Sequence, residues 1–164
     1  MTDDDLIVHR EAVQSAWVDY NGHLNVAYYS LIFDHATDVL LDALGVGASY
    51  AGETGFSTFV VEAHTRFLNE LSDGAPVRVT TQLLGFDSKR LHYFHRMQHD
   101  EEGFLAATQE LLSVHVDLNE RRAAPFPAGA LQTIVDIAAS HEHFERPEKA
   151  GASIRPPAPN PDRK

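Results

Sequence analysis

The chain has 164 residues, 43% of them hydrophobic, enough for one domain that buries a core without covalent staples. Its 24 acidic and 13 basic side chains give a formal charge of −11 with no basic block, which argues against a nucleic-acid ligand. There is no cysteine, so disulfides, thiolate nucleophiles and Cys-ligated metals are excluded.

The acidic start, Met1-Thr2-Asp3-Asp4-Asp5, leads into no apolar run of signal-peptide or membrane-spanning length, so a cytoplasmic protein without a membrane partner is expected. Residues 6–18 read as a strand, with Val8, Val13, Ala16 and Val18 among polar residues. A loop over 19–24 follows. From Asn25 to Leu44 the apolar residues Tyr28, Tyr29, Ile32, Phe33, Ala36, Val39, Leu40, Ala43 and Leu44 keep helical spacing, with Asp34, Asp38 and Asp42 on the opposite face. Gly45 and Gly47 supply the stop. Four strand-like runs come next, over 56–71, 77–86, 89–99 and 104–118, separated by short turns such as Asp73-Gly74 and Asp87-Ser88.

Seven of the eight prolines lie beyond residue 120, so the packed domain is expected to span 1–127. A short helix over 128–140, within a segment 128–146, would cover a sheet edge, and 147–164 would be a Pro-rich flexible tail. Strand, long helix and antiparallel meander together predict an α+β fold in which the sheet wraps the helix, since nothing else is large enough to bury it.

The densest chemistry sits in Asp19-Tyr20-Asn21-Gly22-His23-Leu24-Asn25. It places the Asp19 carboxylate, with His23 and Asn25, beside a helix N-terminus whose free N–H groups favour developing negative charge. That pairing suits hydrolysis of an activated acyl compound; Asp, Asn and Gly are equally the residues of an ordinary capped turn. Glu62, His64 and Arg66 alternate along one strand face, which is either a solvated outer face or a wall of a site. Trp17, Tyr20, Tyr28 and Tyr29 flank the Asp19 loop, as core or dimer contacts or as an aromatic cluster for a quaternary ammonium. His92, His95 and His99 cannot converge on one ion, because strand residues four apart are roughly 13 Å from each other. The negative charge tolerates a cationic ligand and opposes the phosphates of a nucleotide carrier unless Lys89, Arg90 or Arg96 cluster.

WVDYNGHLNVAYYSLIFD (17–34) resembles the D-x-x-G-H-x-N…Y opening of hotdog-fold thioesterases of the 4-hydroxybenzoyl-CoA thioesterase group. FVVEAHTRFLNELSDGAPVRV (59–79) is similar to that family's next strand and turn, with Glu70 in place of Pro and Ala75 in place of an acidic residue. VHVDLNERRAAPFP (114–127) resembles its last strand and exit. Within the group, VEAHTRFL and KRLHYFHRM add a finer likeness to betainyl-CoA thioesterases of carnitine catabolism. The resemblance implies a hotdog fold, a homodimer or dimer of dimers with sites at the interface, and a small acyl-CoA substrate. No cofactor and no metal are expected. It carries the catalytic carboxylate to Asp19 (base or nucleophile), the oxyanion donor to the Val26 N–H, and orienting roles to His23 and Asn25. A pocket of Trp17 or Tyr28 with Glu62, and His64 beside it, would then suit a cationic acyl group. Two further readings are a non-catalytic hotdog module that binds an acyl carrier, and a hotdog dehydratase using Glu62 and His64.

Overall fold

The computed structural model describes residues 6–155. The first strand, β1 (Ile7–Ala12), is half the length the apolar pattern predicts: Val13 leaves it to bond Ala75, and a 3-10 turn follows at Ser15–Trp17, where the Ser15 hydroxyl donates to Asp73 at 2.9 Å. Helix α1 (Val26–Ala43) then runs as its spacing predicts. Ile32, Phe33, Ala36 and Leu40 are fully buried, and Gly45 beyond its end takes a left-handed φ of 72°. A second helix, α2 (Ala48–Thr54), is missed by the periodicity, because it buries no residue.

The sheet comprises β2 (Phe56–Phe67), β3 (Pro76–Phe86), β4 (Arg90–His99), β5 (Leu105–Asp117) and the short β6 (Arg122–Ala123), beside β1, all antiparallel. Its order is β1-β3-β4-β5-β2, with β6 on β5. The expected meander therefore holds only for β3–β4–β5. Strand β1 occupies the free side of β3, with Ile7 opposite Thr81 and Ala12 opposite Pro76, so β2 goes to the far edge against β5. The segment 68–75 consequently crosses the end of the sheet, where Leu68 and Asn69 donate to the Ala106 carbonyl at 2.9 and 3.0 Å.

Register shifts at Val60/Glu62 and Leu83/Gly85 bend the sheet round α1. Val77, Val79, Tyr93 and Met97 face the helix, and this hotdog arrangement encloses α1 as expected. Helix α3 (Ala128–His141) lies against β3 and adds Ala130 and Ile134 to the buried cluster that holds Leu40, Leu41 and Leu44 at the end of α1, and His141 Nδ1 accepts the Leu83 N–H at 2.9 Å. Residues 144–155 lie over the opposite face of the sheet, where the Gly151 N–H donates to the Glu110 carboxylate at 2.8–2.9 Å. Pro156, Pro157, Pro159 and Pro161 lie outside the described residues. No helix among the described residues is long and apolar enough to cross a membrane.

Candidate active site

The Asp19 loop is a tight reversal closed by a Val18–Leu24 bridge. The Asp19 N–H donates to the His23 carbonyl and the Gly22 N–H to the Asp19 carbonyl, both at 3.0 Å. Gly22 has φ 83°, a conformation costly for a residue with a Cβ. One carboxylate oxygen of Asp19 accepts the Asn21 N–H at 2.8 Å, which fixes the side chain; the other is not engaged by a described group. Leu24 then ties the loop to the 68–75 segment through Leu71 at 2.8 Å.

Asn25 is the N-cap of α1. Its side-chain oxygen accepts the Ala27 N–H at 3.0 Å, and its carbonyl accepts the Tyr28 N–H at 2.9 Å. That leaves the Val26 N–H without a described acceptor, at the positive end of an 18-residue helix. Asp19, His23 and Val26 line one open cleft of about 400 Å³ together with Tyr29, Phe67, Leu68 and Glu70. So a fixed carboxylate and an unfilled N–H share a cavity of small-ligand size. His23 stands at the rim, its Nε2 3.2 Å from Glu70 in an exposed pair that stabilises little.

The remaining expected wall residues are elsewhere. Trp17 is buried and stacks on Tyr28 at 5.6 Å, so its face is covered by the core rather than offered to a ligand. Glu62 and His64 lie opposite Leu112 and Glu110 on the sheet face turned away from α1, beside His92 and the 151–154 segment. They are therefore outer-face residues rather than walls of the cleft, because alternation along β2 turns them away from the helix side. A dehydratase pair in the cleft cannot come from them within one chain.

The cleft instead takes its aromatic and acidic lining from Tyr29, Phe67 and Glu70. Tyr29 and Phe67 meet edge-to-face at 5.3 Å. The Tyr29 hydroxyl donates to the Asn69 carbonyl at 3.1 Å, and burial is the main cause holding its pKa above the usual phenol value, with a smaller contribution from Glu70. Tyr29 is one of the aromatic residues that flank the Asp19 loop in the sequence, whereas only the β2–β5 pairing and the 68–75 crossing bring Phe67 and Glu70 beside Asp19, and no local spacing reveals those two.

A second cluster also arises from the fold alone. Glu11 of β1 accepts from His9 Nε2 and from His35 Nδ1 of α1, each at 2.8 Å. Their ligating atoms lie within 4.8 Å of one another, so this group is where a metal could be held among the described residues. As it stands it clasps the edge strand to the helix. By contrast His92 pairs with Glu110 at 2.7 Å, and His95 points into the core.

Known proteins resemble this chain in sequence and fold. A curated Pseudomonas aeruginosa betainyl-CoA thioesterase is 40% identical over 149 residues, 91% of this chain and 94% of that protein. A Rhizobium meliloti L-carnitine dehydrogenase/betainyl-CoA thioesterase is 37% identical over 142 residues, 87% of this chain but 28% of that longer protein. Among solved structures, a Staphylococcus aureus protein in complex with CoA superposes with TM-score 0.87 at 29% identity, covering 93% of this chain and 96% of its own. A candidate thioesterase of Pseudomonas putida KT2440 gives TM-score 0.81 at 38% identity, with 93% and 97% covered. The Thioesterase-like superfamily model matches residues 13–134, and the chain belongs to that family.

Proposed function

We propose that this chain hydrolyses a small acyl-CoA, betainyl-CoA in the first place, releasing betaine and CoA in the degradation of carnitine, and that it does so in the cytoplasm, where CoA esters are made. The observation that carries the reading is the shared cleft of the Asp19 carboxylate and the free Val26 N–H. A thioester is already activated, so one positioned base and one oxyanion donor suffice. In this scheme Asp19 takes a proton from water as the oxygen attacks the acyl carbon. The Val26 N–H holds the oxyanion. Collapse of the tetrahedral intermediate breaks the C–S bond, and the thiolate of CoA leaves and picks up the proton. Asn25 keeps the donor in place by capping the two N–H groups after it, and His23 orients water or substrate at the rim.

Three features support a cationic acyl group. Phe67, backed by the buried Tyr29 ring, presents aromatic surface, Asp19 and Glu70 add negative charge, and the aligned P. aeruginosa relative bears that substrate in its name. The test compares betainyl-CoA with 3,3-dimethylbutanoyl-CoA, in which carbon replaces the quaternary nitrogen. Betainyl-CoA should be preferred in kcat/KM by about 30-fold, and Glu70→Gln should narrow the gap. Equal turnover of the two would reject the cationic specificity. Release of thiol from neither would reject the thioesterase.

We further propose a homodimer. Among the described residues strand β2 has one backbone edge unpaired, and it exposes Phe59, Val60 and Val61, the last at 58%, which is the surface an edge-to-edge partner would cover. A second copy there would lie next to the Phe67 end of the cleft. Light scattering should give twice the chain mass for the wild type and a shift toward monomer for Val61→Lys. A wild-type monomer at micromolar concentration would end this proposal.

A further inference from the structure

The cations of this acidic chain are not evenly spread. Arg66 of β2 and Arg96 of β4 both stand opposite Thr108 of β5, so Arg66, Thr108 and Arg96 form one row across three strands on the outer face. Adjacent strands are about 4.8 Å apart, which puts the two arginine backbones roughly 10 Å from each other. The segment after α3 folds over this row and adds Arg146 and Lys149, and together they line a cavity of about 290 Å³.

Two carboxylates, Glu145 and Glu148, share its rim. Glu148 is already taken by Lys149 at 2.7 Å, and Lys149 first and Arg66 more distantly hold its carboxyl below the usual range. Arg66, Arg96 and Arg146 form no ion pair with a described carboxylate. Glu110, next along the same face, is engaged by His92 and the Gly151 N–H. By contrast, Lys89 and Arg90 lie at the other end of β4 from Arg96, with Arg90 held by Asp87 at 2.6 Å. The grouping of Lys89, Arg90 and Arg96 that the composition left open does not form. The cationic site is built from three strands and the chain after α3.

Guanidinium groups with no carboxylate to neutralise them, gathered in a cavity, match phosphate oxygens. The cavity adjoins the catalytic cleft, with Leu68 in the lining of both. We infer that Arg66, Arg96, Arg146 and Lys149 bind the 3′-phosphorylated ADP end of CoA, with the pantetheine arm passing over Leu68 to place the thioester at Asp19. This rests on the acyl-CoA reading above and adds the residues that recognise the carrier. It also explains how a chain of charge −11 accepts a ligand with several phosphate charges: the repulsion is offset locally.

The test uses the full chain and two substrates with one acyl group, betainyl-CoA and betainyl-pantetheine, which lacks the phosphates. Arg66→Met and Arg96→Met should each raise KM for the CoA ester roughly tenfold, and the double variant roughly a hundredfold. KM for the pantetheine ester should not follow. Lys149→Met, on the segment that folds over the sheet, provides an independent variant should the sheet substitutions lower the melting temperature. A KM for betainyl-CoA that stays at the wild-type value, or one that rises equally for both esters, would overturn the inference while leaving the thioesterase in place. Should the wild type hydrolyse neither ester, calorimetric titration with CoA decides alone. Binding that the double variant abolishes supports the cationic site, and binding that it leaves intact, or none in the wild type, rejects it.

Discussion

Asp19→Asn should lower kcat for the best acyl-CoA by roughly a hundred- to ten-thousandfold, the span over which a positioned general base acts. The substitution keeps size and retains an oxygen for the Asn21 N–H that Asp19 now accepts at 2.8 Å, so the loop has no reason to reopen. The melting temperature should therefore stay within a degree or two, and KM should change little. That combination separates lost chemistry from lost structure. Near-wild-type turnover in Asp19→Asn would remove the carboxylate from the mechanism. Single turnover in ¹⁸O-water then separates the two routes open to a carboxylate. Label entering the Asp19 side chain indicates an acyl-aspartyl intermediate opened at the aspartyl carbonyl, whereas label only in the released acid, with no acyl group trapped on the chain by hydroxylamine, indicates attack by water.

The second large effect concerns stability. His95 of β4 is fully buried, stacked on Phe33 of α1 at 5.7 Å. The Thr37 hydroxyl donates to the Phe33 carbonyl at 3.1 Å, so its oxygen is left to accept from His95 Nε2–H at 3.0 Å, while Nδ1 accepts from Thr81 at 2.9 Å. This is a neutral imidazole in one tautomer, with no carboxylate partner to hold a second proton. Burial, with a smaller repulsion from His9, pushes its pKa down to about 3. The unfolded chain binds a proton near pH 6.5 that the folded chain refuses, so stability is complete above that value and falls as the pH drops toward 3. The loss from this residue reaches on the order of 4 kcal/mol. Thermal melts between pH 7 and 4 should show a steep decline in the wild type and a shallower one in His95→Gln, which cannot titrate. Carboxylates protonating below pH 5 affect both proteins and cancel in the difference. Parallel profiles would mean that His95 is charged in the folded state.

Local signals in the sequence proved reliable where the deciding interactions are local. The face of α1, the glycine that ends it, the hairpins β3–β4 and β4–β5, and the cap at Asn25 all depend on residues a few positions apart. The Asp19 loop belongs with them. Where the outcome depends on which strand finds which edge, spacing along the chain is silent. The alternation of Glu62, His64 and Arg66 was legible, and so was the choice between a solvated face and a site wall, but only the pairing of β2 with β5 decides it. The same pairing puts Phe67 and Glu70, rather than Trp17 and Glu62, beside the carboxylate. Glu70, visible in the sequence as a departure from the family's proline, was the one residue that could have pointed there. The clasp of Glu11 on His9 and His35, and the row of Arg66, Thr108 and Arg96, join segments far apart in sequence and have no local signature.

The crossing at 68–75 also bears on the order in which the molecule assembles. Hairpins β3–β4 and β4–β5 close over short turns, whereas β1 must find β3, and β2 must find β5, across some 40 to 70 intervening residues. Closing a longer loop costs more chain entropy, so the central three strands can form first and the two outer strands join a surface already made. One wall of the cleft follows β1 and the other follows β2. On that order the scaffold precedes the catalytic cavity, and a partly folded chain with only the central hairpins formed would have no place to bind a thioester.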